Sequence, residues 1–162
     1  MAIEPTTPVP HAATLPAALD SPTRVCMISI ADELFAIDLR NVREVFEVDT
    51  ITPVPGMPTA LAGVANLRGL VIPIVDLRLM LGLPAAGPLP YAVAIRHGNQ
   101  LLGVMVDRVP EIRTVHIDDF LPAPAGAATG LKPFVSAIVR VEDRIGGVVE
   151  VPTLMAFMET AE

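Results

Sequence analysis

The side chains able to do chemistry are few and scattered along the chain. His11, His97 and His116 stand far apart, and none is at ligand spacing from another histidine or from Cys26, the single cysteine. The clusters that hold a structural metal are therefore missing, and no cofactor signature replaces them. Of the three serines, Ser29 and Ser136 fall inside predicted strands, and neither stands in the Gly-x-Ser-x-Gly turn that exposes a nucleophile. Gly126 to Lys132 resembles a phosphate loop, but three residues separate its glycines and Leu131 precedes Lys132; the cradle needs four residues and a lysine directly after the second glycine. Carboxylates remain. Asp38 and Asp76 are placed to cap helix starts, worth about 1 kcal/mol each, and Asp107 ends a strand. A catalytic set drawn from Asp107, Glu111 and His116 is the best that an enzyme reading can assemble. Two further polar residues sit on otherwise apolar elements. Arg68 tips an apolar hairpin with no acid within four residues, where it is either a solvated turn residue or a contact for a partner. Glu44 lies beside Arg40 and Arg43, where an intrahelical pair with Arg40 is worth only about 0.3 kcal/mol.

The elements that must position these residues are short. Arg24 to Ile30 and Leu34 to Ile37 read as a hairpin around Ala31-Asp32-Glu33. After Asp38, the spacing of Leu39, Val42, Val45 and Phe46 predicts a short amphipathic helix. Ala62 to Leu67 and Leu70 to Val75 form a second hairpin around Arg68-Gly69, and Asp76 opens a helix over Leu77 to Leu81 that Gly82 and Pro84 stop. Residues 84–90 are the internal linker. Tyr91 to Arg96 and Leu101 to Val106 flank another turn, and Val109 to Val115, with Pro110, reads as an edge strand or bulge. Residues 122–132 are a Pro/Gly/Ala loop. Phe134 to Val141 and Ile145 to Val151 make the last hairpin, and a helix starts at Pro152 with Leu154, Met155 and Met158 on its apolar face. Residues 1–23 hold five of the seventeen prolines, the composition of a flexible tail.

Composition narrows the function classes. With 52% apolar residues, 4% aromatics and no Trp among 162 residues, the core must be aliphatic, and the chain is too apolar to be disordered. Proline at this density excludes a long-helix protein, so many short strands imply one or two small antiparallel barrels. Two halves of such size are marginal alone and should share apolar contacts. A formal charge of −7 without a basic stripe argues against nucleic acid and anionic membrane surfaces as partners. The longest charge-free stretch, residues 50–67, is broken by Pro53, Pro55, Gly56, Pro58 and Gly63 and cannot insert as a regular helix. A cytoplasmic chain is the expectation.

The run Gly63-Val64-Ala65-Asn66-Leu67-Arg68-Gly69-Leu70-Val71-Ile72-Pro73-Ile74-Val75-Asp76-Leu77-Arg78 resembles the signature of the CheW family of chemotaxis coupling proteins. Ile37-Asp38-Leu39, Val42 to Val45, Gly103 to Val109 and Leu121 to Pro124 extend the resemblance across residues 24–158. It implies a mainly β fold of two SH3-like, five-stranded antiparallel barrels sharing an apolar core, formed by residues 24–162 as two intertwined subdomains. It implies a non-catalytic adaptor between the cytoplasmic tips of methyl-accepting chemoreceptors and the regulatory domain of the histidine kinase CheA. Receptor-contacting positions carry over to Val42, Glu44, Arg68 and Ile112; kinase-contacting residues are not assigned. Three departures fall in the second half: Ser136-Ala137 where a small-Gly pair is usual, Gly146-Gly147, which should loosen the final strand or bulge it, and Glu150, a weaker cap than Asp or Asn. The contrasting reading is a small ligand-binding or hydrolytic barrel using the inter-barrel groove, which a groove without converging polar groups would discard.

Overall fold

A computed structural model of the chain describes residues 22–121 and 134–160. Most of the Pro-rich tail and the 122–132 loop, with its Gly126 to Lys132 segment, lie outside the described residues.

Among the described residues, eleven strands and one α-helix follow in order: β1 (Thr23–Ile30), β2 (Glu33–Asp38), β3 (Val42–Glu47), β4 (Leu61–Leu67), β5 (Leu70–Val75), β6 (Tyr91–His97), β7 (Gln100–Val106), β8 (Glu111–Val115), β9 (Phe120–Leu121), β10 (Val135–Val141), β11 (Arg144–Val149) and α1 (Val151–Thr160). They form two sheets, ordered β8-β1-β2-β11-β10-β9 and β3-β6-β7-β5-β4. The protein is mainly β, with two SH3-like barrels. Two details depart from five purely antiparallel strands each. The first sheet gains the two-residue β9, and each sheet holds one parallel pair, β2 with β11 and β5 with β7, where strands from different hairpins meet.

The four expected hairpins form. The predicted helix over Leu39 to Phe46 does not: a single 3-10 turn at Leu39–Asn41, capped by the Asp38 side chain accepting from the Arg40 N–H, runs straight into β3. A segment this short cannot sustain a helix on its own, whereas the open edge of β6 offers its backbone partners and seats Phe46 against the barrel interior. The helix after Asp76 shrinks to one turn, closed by the Leu81 N–H on the Leu77 carbonyl at 2.9 Å. Gly146-Gly147 does not loosen β11. Its register is continuous there, and the irregularity falls between Val135 and Ala137 on β10. The glycines permit close packing, since a Cβ at 147 would stand 3.0 Å from Val135 Cγ1.

One core serves both sheets. Cys26, Ile28, Ile30, Phe35 and Ile37 of the first pack with Val75, Val93, Ile95, Leu102 and Val104 of the second, and α1 adds Leu154, Met155 and Met158. Burying side chains of this size stabilises by about 1.5–3 kcal/mol each. Each barrel keeps a smaller interior of its own, around Val25, Met27, Ala36 and Val139 in the first and Ala65, Ile72, Ile74 and Ala94 in the second. A polar clamp also joins the sheets. Asp107, just beyond β7, accepts from the Ser29 hydroxyl at 3.0 Å and the Asp32 N–H at 2.9 Å, while its own N–H donates to the Ser29 carbonyl at 2.8 Å. Residues 84–90 join β5 to β6 within one sheet, and the buried Arg78 holds that stretch by donating to the Ala86 and Gly87 carbonyls at 3.1 and 2.9 Å.

Candidate functional site

The signature hairpin owes its shape to its own residues. Leu67 and Leu70 pair across Arg68-Gly69, both at positive φ (54° and 85°), which is the two-residue turn that matches strand twist. The Asn66 side chain braces it by accepting from the Gly69 N–H at 2.8 Å. At the base of β4, Gly63 adopts φ 148° where the backbone of Thr52 crosses to bridge Val64. A Cβ there would stand 2.4 Å from the Thr52 carbonyl oxygen, so only glycine fits.

This geometry carries the Arg68 side chain to an acid that is remote in sequence. Arg68 Nε donates to both Glu44 carboxylate oxygens, at 3.0 and 3.2 Å, across 24 residues. The expected Glu44–Arg40 pair is thereby replaced: Arg40 bonds Asp38 at 2.7 Å instead. Because β3 and β4 are the two edges of their sheet, the Glu44–Arg68 pair spans the seam at which that barrel closes. Glu44 is 20% exposed and Arg68 77%, so the pair contributes at most about 1 kcal/mol to stability and leaves most of the guanidinium facing outward. Exposed aliphatic side chains surround it in sequence and strand order: Val45, Leu70 and Val71.

Val42 sits two residues before Glu44 yet belongs to the other side of β3. The register steps from Val42 opposite Ile95 to Glu44 opposite Ala94, leaving Arg43 as the extra residue of a bulge. A bulge re-aims side chains in this way. Val42 is half-buried against the shared core while Glu44 stands over the barrel interior. Ile112 lies in the other sheet, on edge strand β8, opposite Cys26, which is itself opposite Ile37. Directly opposed residues share a face, so Ile112 is the outer end of an apolar row running into the shared core, and it is 56% exposed. The structure thus joins Glu44 to Arg68, keeps Val42 on the same strand, and sets Ile112 apart in the first sheet.

Asp107, Glu111 and His116 do not act as one group. Asp107 is engaged by Ser29 and Asp32, Glu111 by Arg113 and Arg144, and His116 lies 3.8 Å from Asp119. Burial pushes the Asp107 carboxyl up, but the Asp32 and Ala31 N–H groups, the Ser29 hydroxyl and the Arg108 charge outweigh it and hold the carboxyl below its ordinary value. Of the hollows lined by described residues, one between β5, β7 and α1 has Gln100 hydrogen-bonded to Glu159, and one walled by Met57, Pro58, Leu79, Met80 and Phe157 offers no charged group. A third, beside Arg24, Leu39 and Arg40, has its carboxylate, Asp38, paired with Arg40. Among the described residues, no three His, Cys, Asp or Glu side chains are grouped to hold a metal, and no helix is long and apolar enough to cross a membrane.

Sequence reasoning missed the Asp107 clamp and the Glu111–Arg144 pair. Their partners lie 78 and 33 residues away, and nothing local signals either. The brace from Asn66 was legible in principle, as an Asn three residues before a turn glycine.

Fold and surface together define a two-barrel protein with a charged seam set among exposed aliphatic side chains. The chain belongs to the CheW-like domain family, which it matches over residues 24–158. It is 34% identical over 127 residues to the chemotaxis protein CheW of Rhizobium meliloti (strain 1021), covering 77% of this chain and 82% of the relative. It is 25% identical over 137 residues to the chemotaxis protein CheW of Klebsiella aerogenes, covering 83% and 82%. Among solved structures it is similar to the scaffolding protein TtCheW from Thermoanaerobacter tengcongensis, with a TM-score of 0.70 and 27% identity over 80% of this chain and 89% of that one.

Proposed function

We propose that this protein is a cytoplasmic, non-catalytic scaffold of chemotaxis signalling that couples methyl-accepting chemoreceptors to the histidine kinase CheA. Residues 24–162 carry the activity as one unit behind the tail 1–23. Val42, Glu44, Arg68 and Ile112 meet the receptor's helical tip. The observation that carries this reading is the seam pair: Arg68 is fixed by Glu44 yet 77% exposed. A half-tethered arginine bordered by Val45, Leu70 and Val71 has the composition of an interface anchor, apolar area with one oriented charge. Family membership and the scaffolding description of the similar solved structure support the same reading.

Co-sedimentation with receptor-containing membranes, with and without CheA, tests it. Retention by receptor and by kinase is expected; retention by neither above background defeats the scaffold reading. Arg68→Ala should weaken receptor retention at least about fivefold, as loss of an interface anchor does. Its melting temperature should fall by no more than about 4 °C, the limit for an exposed pair in a chain of this size. A larger fall would make Arg68 a structural residue instead.

A further inference from the structure

The two sheets repeat one design. Five strands of the first, β8-β1-β2-β11-β10, correspond to β3-β6-β7-β5-β4 of the second. In both series the third and fourth strands pair in parallel, and the fourth and fifth form a hairpin with a two-residue turn. The correspondence holds residue by residue. Arg68 and Glu142 are the first central residues of the two turns, at φ 54° and 59°. Each hairpin carries its irregularity at the same distance from the turn, at Leu61/Gly63 and at Val135/Ala137.

Carried to the edge strands, the register makes Glu111 the counterpart of Glu44. Glu44 opposes Ala94 and Glu111 opposes Met27, each opposed residue lying in its own barrel interior. The next residues, Val45 and Ile112, oppose Val93 and Cys26 of the shared core and are 38% and 56% exposed. Across the seams Val71 and Ile145 correspond and are equally exposed, 61% and 58%. The ion pair is repeated too. Glu111 accepts from Arg144 at 3.2 Å and from Arg113 at 2.8 Å, and Arg113 reaches Glu142 at 3.6 Å. On the β10–β11 hairpin the arginine has moved from the turn itself to the first residue after it, Arg144, and it still reaches the edge-strand glutamate.

β8 has a strand partner on one side only and is preceded by Pro110. Glu111 and Arg113 flank Ile112, and both are tied across the seam to the β10–β11 hairpin. We propose that Glu111 and Arg144 are positioning residues of the receptor-contacting surface: they pin edge strand β8 so that Ile112 is presented in one fixed place, as Glu44 and Arg68 do for β3. This rests on the receptor reading above. The pair acts by removing freedom from β8 before binding, which lowers the ordering cost of association.

The test uses the full chain with Glu111→Ala, Arg144→Ala, Glu111→Arg and the exchange Glu111→Arg with Arg144→Glu. Two measurements are made: retention on receptor-containing membrane vesicles, and amide exchange of residues 111–115 against residues 42–47. Each single variant should lose at least about fivefold in retention and speed exchange in β8 but not in β3, with the exchanged pair returning toward the parent in both. Single variants that bind and exchange like the parent overturn the proposal, as does an exchanged pair no better than Glu111→Arg alone. If the parent chain itself is not retained by receptor, the receptor reading fails. The exchange measurement then still decides the seam: β8 rates unchanged by either variant refute the pinning.

Discussion

Asp107→Ala removes a carboxylate that ties the end of β7 to the β1–β2 turn of the first sheet, beside the Arg108–Asp32 ion pair at 2.9 Å, which stays in place. The turn it holds is demanding, because Ala31 and Asp32 both sit at positive φ without being glycine (51° and 69°). The variant loses the bonds from the Ser29 hydroxyl and the Asp32 N–H but keeps the Asp107 N–H bond to the Ser29 carbonyl. Hydrogen bonds to a charged group contribute about 1.5–3 kcal/mol each. The Asp32 end is open to water, which can replace the lost acceptor there, so the net expectation is about 2–3 kcal/mol rather than the full sum. For a chain of this length that is a fall in melting temperature of about 4–12 °C. The pH dependence gives a second, independent reading. The folded-state carboxyl is held below its ordinary value, so its stabilising contribution is complete above the unfolded value of about 3.9 and is lost as pH falls through the lower folded value. The difference between parent and variant should therefore be constant near neutrality and shrink only in acid. Urea unfolding at pH 7 and across pH 5 to 3 measures it. A difference under about 0.5 kcal/mol at pH 7, or one that persists unchanged through acid, refutes the clamp.

Gly63→Ala should be among the most damaging single-methyl additions in the chain, costing about 2 kcal/mol or more, because the new Cβ meets backbone at 2.4 Å; denaturant unfolding or loss of soluble yield reads it, and a neutral outcome would mean that the Thr52 segment gives way freely. Cys26 is 2% exposed and its thiol is pushed up to about 11 by burial, so a thiol reagent at pH 8 should leave it unmodified in the native chain and label it promptly in denaturant. Fast native labelling would show that the shared core opens.

The hairpins were legible because their information is local: alternation or apolar runs of strand length, bounded by turn residues, need no distant partner. The stretch from Leu39 to Glu47 was misread for the complementary reason. Its spacing suits a helical face over barely two turns, and what decides its state is an unpaired edge on β6 some 50 residues later. The site divided in the same way. Arg68 and Glu44 could be singled out as polar residues on apolar elements, but not as partners. Their pairing requires the barrel to close so that β3 faces the β4–β5 tip.

By itself the sequence determined the mainly β character, the positions of the hairpins, the apolar face of the final helix and, through the run from Gly63 to Arg78, the family. Those features depend on neighbours a few residues apart. Only the tertiary structure decided that the sheets interleave, with β1 and β2 joining β8 to β11 while β3 to β7 form the other barrel. It also decided that Asp107 clamps the sheets, and that a glutamate–arginine pair closes each seam. Such contacts join residues with no local constraint on one another, and they become possible only once hydrophobic burial has drawn both sheets onto one core.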